Sequence, residues 1–161
     1  MIQHGGLSWQ GGLIVGGLSG FWFVRRNKLD LLKMLDLTAP YLALGQAIGR
    51  IGCFLNGCCY GKEVSWGVYF PSLGERVHPT QIYDAVGLLI VFFVLKWFQQ
   101  RAKVKGKVFV LYLMLAVSLR FMIEFVRGDH SETYLGLSLY QIVCIFLLAA
   151  AAVINQKLKK S

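Results

Sequence analysis

Five long apolar stretches, separated by short charged connections, constrain this chain more than any other feature. They fall near residues 7–24, 37–56, 80–98, 108–126 and 135–154. A hydrocarbon core takes roughly 20 residues of helix, or about 17 at the short end, so each stretch is long enough to cross one. Inside a bilayer no water satisfies the backbone, and only helices or closed barrels can span it. The pattern predicts an all-α, polytopic membrane protein with about five transmembrane helices. Hydrophobic residues make up 56% of the chain, too many for a soluble domain of this length. One domain's worth of protein is present, so residues 1–161 are expected to form a single transmembrane domain. Met1 precedes a Gly-rich apolar stretch with no basic n-region or small-residue cleavage site, so no cleavable leader is expected.

The charges fix an orientation. Arg25, Arg26, Lys28 and Lys33 follow the first stretch. Arg101, Lys103, Lys105 and Lys107 follow the third, and Lys157, Lys159 and Lys160 the fifth. The other two connections hold only Lys62 and Arg76, then Arg127, diluted by acidic residues. Alternate connections are therefore basic, which places the N-terminus outside and the C-terminus in the cytoplasm. The formal net charge of +9 is accounted for by these clusters, and no nucleic-acid partner is expected.

Two arginines and two carboxylates lie within the apolar stretches. Arg50 and Arg120 are each six residues from the outward end of their stretch, on the order of 9 Å deep at 1.5 Å per residue. Glu124 follows Arg120 at the i,i+4 spacing, and Asp84 sits near the outward start of the third stretch. An arginine at that depth must face protein or a water-filled cavity. On a plain reading Arg120 and Glu124 merely fasten two helices. Two guanidiniums at one depth instead favour an anion between them, and their forked donors suit phosphate. The chemistry predicts an anionic phospholipid site opening toward the outer leaflet.

Other features read as structural. Gly12, Gly16 and Gly20, with Gly45 and Gly49, have the spacing that lets membrane helices approach closely. His78 has the pKa range of a general base, but His78-Pro79-Thr80 reads more readily as a helix start with polar caps. Cys53, Cys58 and Cys59 lack CxxC spacing and have no nearby histidine, so no metal is expected; Cys58 and Cys59 could form a disulfide outside.

Four segments carry a family resemblance. Gly49-Arg50-Ile51-Gly52-Cys53-Phe54-Leu55-Asn56-Gly57-Cys58-Cys59-Tyr60-Gly61 resembles the signature of bacterial prolipoprotein diacylglyceryl transferases. Gly5-Gly6-Leu7-Ser8-Trp9-Gln10-Gly11-Gly12 resembles their doubled-glycine segment, and His78-Pro79-Thr80-Gln81-Ile82-Tyr83-Asp84-Ala85 their HPSQLYEA-type motif. Arg120-Phe121-Met122-Ile123-Glu124-Phe125-Val126-Arg127 is similar to their RFxxEFxR motif. The resemblance covers essentially the whole chain.

It implies an enzyme of the bacterial inner membrane that moves the diacylglyceryl group of phosphatidylglycerol onto the lipobox cysteine of a preprolipoprotein. Arg50, Arg120, Glu124 and His78 are the catalytic candidates it implies. Asn56, Gly61, Gln10, Gly11, Gly12, Tyr83 and Arg127, together with Arg50, are implied to bind substrate, and no cofactor is expected. The alternative is a non-catalytic relative that binds anionic phospholipid or supports a membrane complex. Members commonly begin with about two further helices, so a shortened member is expected. Gln10 stands where many carry histidine, with His4 out of register. Cys53 and Cys58 replace a usual Asn and a frequent Glu, leaving Glu63 or His78 as substitute bases, and Asp84 replaces a Glu.

Overall fold

A computed structural model describes residues 6–71, 73–127, 133–134 and 137–160. Five helices dominate it: α1 (Gly6–Arg26), α2 (Leu31–Leu55), α3 (Thr80–Gln99), α4 (Lys107–Glu124) and α5 (Leu139–Lys160). Helices α2, α3 and α4 pack together, α5 packs on α4, and α1 packs lightly on α2. Ala39 and Ala43 of α2 are fully buried, and these small side chains let Val91 and Leu95 of α3 and Val108 and Tyr112 of α4 close into one core. Large apolar side chains instead face outward, among them Leu18, Phe93 and Phe146, while Gln81, Asp84, Glu124 and Gln141 are buried. Apolar outside and polar inside is the pattern of a membrane protein.

By length and composition, α3 and α5 are the two helices among the described residues able to cross a membrane. The five expected spans correspond to the five helices, of which these two reach that apolar length on their own. Lys107, Arg120 and Glu124 interrupt α4, and Lys33, Asp36 and Arg50 interrupt α2. The fold is also not purely helical. Strands β1 (Glu63–Phe70) and β2 (Glu75–Val77) form an antiparallel hairpin in the α2–α3 connection. Strands β3 (Thr133–Tyr134) and β4 (Leu137–Ser138) pair before α5, which starts at Leu139 rather than at 135. Val64, Trp66, Val68 and Phe70 alternate along β1, a period-2 strand signal too short to stand out beside the long apolar stretches.

One end of the bundle is tied by Asp36. Pro40 lies inside α2 and cannot donate the amide hydrogen that would reach the Asp36 carbonyl. Gln99 Nε2 of α3 donates to that carbonyl instead, at 2.9 Å. The Asp36 carboxylate accepts from Gly106 N at 2.6 Å and Phe109 N at 2.9 Å, capping α4 from a neighbouring helix. Three helix ends therefore meet at one residue. The glycine stripes do not play the expected packing role within this chain. Among the described residues, a Cβ added at Gly12, Gly16, Gly20, Gly45 or Gly49 would meet nothing within 4 Å.

Candidate active site

The opposite end of the bundle gathers the C-terminal ends of α2 and α4 with the starts of α3 and α5. Helix α2 ends in a Schellman turn around Asn56. Gly57, at φ 67°, donates to Phe54 O at 3.1 Å, and Cys58 N donates to Cys53 O at 3.1 Å. Thr80 Oγ1 and Gln81 Nε2 then donate to the carbonyls of Cys59 (2.8 Å) and Cys58 (2.7 Å). The polar residues at the start of α3 thus hold the preceding turn and do not cap their own helix. This overturns the capping reading of His78-Pro79-Thr80. Pro79 is itself the residue before α3, without a side-chain cap bond.

Docking α3 on this turn brings Asp84 against α2. Arg50 Nε lies 3.0 Å from Asp84 Oδ2. Arg120 Nη2 lies 2.7 Å from Glu124 Oε2, an ion pair without hydrogen-bond alignment. Ser138 Oγ donates to Glu124 Oε1 at 3.0 Å and also accepts from Gln141 N, while Gln141 Oε1 accepts from Ser138 N. Ser138-Leu139-Tyr140-Gln141 is a capping box, a sequence signal that went unused. It starts α5 and fixes Glu124 together. The Tyr140 ring lies 5.6 Å from the Arg120 guanidinium carbon, within cation–π range.

Arg50, Arg120, Arg127, Asp84 and Glu124 all act electrostatically on one another here. Arg120 Nη1 is buried and has no acceptor among the described residues. The anion expected between two bare arginines is thus partly anticipated by the protein's own carboxylates, with Asp84 the partner that sequence reasoning left out. The depths differ from expectation too. Arg50 is five residues from the end of α2 and Arg120 four from the end of α4, about 7.5 and 6 Å.

Gly61 is buried where three segments cross. Its N donates to His78 O at 2.9 Å, it pairs with Arg127 as an isolated β-bridge, and Lys62 N donates to Val126 O at 2.9 Å. His78 Nδ1 lies 3.3 Å from the Tyr83 hydroxyl, and its ring meets the edge of Trp66 at 4.7 Å. Gly61, His78, Tyr83 and Arg127 therefore form one connected group beside the arginines. Asn56 is exposed on the Schellman turn, and Gly11 and Gly12 are exposed on α1. Gln10 lies outside the residues whose side chains are described.

The cysteines also depart from expectation. Cys53, Cys58 and Cys59 are all free thiols, and their Sγ atoms lie within 4.8 Å of one another. Adjacent residues with Cα atoms about 3.8 Å apart fall short of the usual disulfide range, so a Cys58–Cys59 bond does not suit this turn.

Fold and site together define a helical membrane protein with a cluster of paired arginines and carboxylates at one end of its bundle. The family model for prolipoprotein diacylglyceryl transferase matches residues 1–156, and the chain belongs to that family. It is 40% identical over 146 residues to a phosphatidylglycerol–prolipoprotein diacylglyceryl transferase of Clostridium tetani, covering 86% of this chain and 58% of that protein. A relative of the same name from Finegoldia magna is 36% identical over 163 residues, covering 99% and 64%. One from Chlorobaculum tepidum is 37% identical over 153 residues, covering 90% and 53%. The chain thus spans between half and two thirds of the length of these relatives.

Proposed function

We propose that this protein transfers the diacylglyceryl group of phosphatidylglycerol to the lipobox cysteine of preprolipoproteins. The observation that carries the reading is Arg120 Nη1, a guanidinium nitrogen that is buried beside the Arg50–Asp84 and Arg120–Glu124 ion pairs and has no acceptor among the described residues. A buried cationic donor without a partner is costly, and a phosphate oxygen would satisfy it. Arg50 and Arg120 hold the phosphate and stabilise the charge that grows on it as the carbon–oxygen bond breaks. The acceptor sulfur forms the new bond to the same glycerol carbon, and glycerol phosphate leaves. Glu124 orients Arg120, and Asp84 does the same for Arg50.

His78, backed by Tyr83, is the candidate acceptor for the thiol proton. Asn56, Gly61 and Arg127 border the headgroup, and Gln10, Gly11 and Gly12 of α1 complete the lipid side. The site end faces outward, the basic connections lie in the cytoplasm, and all five helices of the single domain cross the inner membrane. The alternation of basic connections supports this topology.

The test is complementation of a strain depleted of its own transferase, with Arg50→Ala and Arg120→Ala beside the parent chain. Each substitution is expected to lower transfer by about 10²–10³, the usual loss on removing one donor to developing charge. Rescue by either variant at parental rates would remove the phosphate clamp. Failure of the parent, despite normal membrane insertion, would favour a non-catalytic lipid-binding role.

A further inference from the structure

Beside the arginine cluster, the last turn of α2 does something that phosphate binding does not need. In a Schellman turn the third residue from the helix end and the second residue beyond the cap are brought together, and here both are cysteines, Cys53 and Cys58. Cys59 then takes a left-handed backbone, φ 64°, which a residue with a Cβ rarely adopts. That conformation delivers a third sulfur to the same place. All three Sγ atoms lie within 4.8 Å of one another, and all three residues are half-buried.

We propose that Cys53, Cys58 and Cys59 form a three-thiolate site for a soft d¹⁰ cation of the Zn²⁺ or Cu⁺ class. Thiolates select such ions over hard cations, which prefer oxygen. Bonds of about 2.3 Å in tetrahedral geometry place sulfurs roughly 3.8 Å apart, so the observed group needs to close only slightly. The turn is already braced from α3, because Gln81 and Thr80 hold the carbonyls of Cys58 and Cys59. Arg50, one turn before Cys53, offsets part of the negative charge that three thiolates bring. Three protein ligands leave a fourth position for water or another donor, as in open rather than closed sites.

The experiment uses the full chain, reduced and purified in detergent without oxygen. It is titrated separately with Zn²⁺ against a chromophoric chelator, with Cu⁺ against a Cu⁺ chelator, and with Cd²⁺ while following sulfur-to-metal charge-transfer absorption. One ion per chain is expected, with affinity falling at least tenfold in each of Cys53→Ser, Cys58→Ser and Cys59→Ser. Cys144→Ser should bind as the parent does. Comparison of the Zn²⁺ and Cu⁺ affinities identifies the preferred ion. Four reactive thiols with no stoichiometric binding would overturn the site, as would binding that survives all three serine variants. A disulfide among the three in freshly isolated protein would also overturn it, in favour of a redox pair. The parent's own charge-transfer band keeps the test decisive if a serine variant fails to fold.

Discussion

Replacing Gly61 by alanine tests whether the site's framework depends on one close backbone crossing. A Cβ at this position would lie 2.5 Å from Val126 O, 2.6 Å from His78 Cβ and 2.8 Å from Thr80 Cγ2. These atoms belong to two segments, the chain after α4 and the stretch leading into α3, and none is the free end of a flexible side chain. Relief therefore requires the crossing itself to open, stretching Gly61 N to His78 O and Lys62 N to Val126 O, both now 2.9 Å. Overpacking of this kind costs about 1–3 kcal/mol, and weakening two backbone bonds adds about 1 kcal/mol. A total of about 2–4 kcal/mol corresponds to a thermal midpoint lower by roughly 5–15 °C for a domain of this size.

The assay is a tryptophan-fluorescence melt of purified protein in detergent, with Gly45→Ala as the comparison. Nothing lies within 4 Å of a Cβ at Gly45, and alanine in a helix interior is favoured by up to about 1 kcal/mol, so that variant should melt at or above the parent. An unchanged midpoint for Gly61→Ala would refute the crossing argument and return Gly61 to a purely headgroup-contacting role.

Glu124→Ala should destabilise the chain by about 3–5 kcal/mol in chemical unfolding, because it strands Arg120 and removes the acceptor of Ser138. Glu124→Gln, which can still accept from Ser138, should lose less. Gln99→Leu should cost about 1–3 kcal/mol by orphaning the Asp36 carbonyl. Pro40→Ala restores a backbone donor to that carbonyl, so a double-mutant cycle should show the two changes coupled; additive effects would sink this account. Lys105 holds the Asp30 carboxyl below its ordinary value of 3.8 by a side-chain hydrogen bond. The stability this bond adds is fully present above pH 3.8 and is lost as pH falls through the lower, folded value. Parent and Lys105→Met melts should therefore differ at neutral pH, less at high salt, and converge in acid.

The charged residues were legible in sequence, but their partners were not. Arg120 and Glu124 are four residues apart on one helix, and helical geometry alone makes them neighbours. Arg50 and Asp84 are on different helices, and they meet because Gln81 and Thr80 dock α3 onto the Schellman turn. No period in the sequence encodes that docking. Local signals that were present went unused, including the β1 alternation and the Ser138–Gln141 capping box. Gln99 filling the acceptor left by Pro40 depends on two helices 59 positions apart in sequence, and only packing reveals it.

By itself the sequence determined the membrane environment, the helical architecture and the end of the bundle that carries charge. Each of these follows from composition and from periods of a few residues, which act before any tertiary contact exists. The tertiary structure decided which carboxylate holds which arginine, that Arg120 Nη1 is buried without an acceptor among the described residues, and that three cysteines without a recognisable spacing share one pocket of space. Those outcomes depend on where helix ends dock. A docked end is fixed by a few hydrogen bonds between residues distant in sequence, and no local pattern announces them.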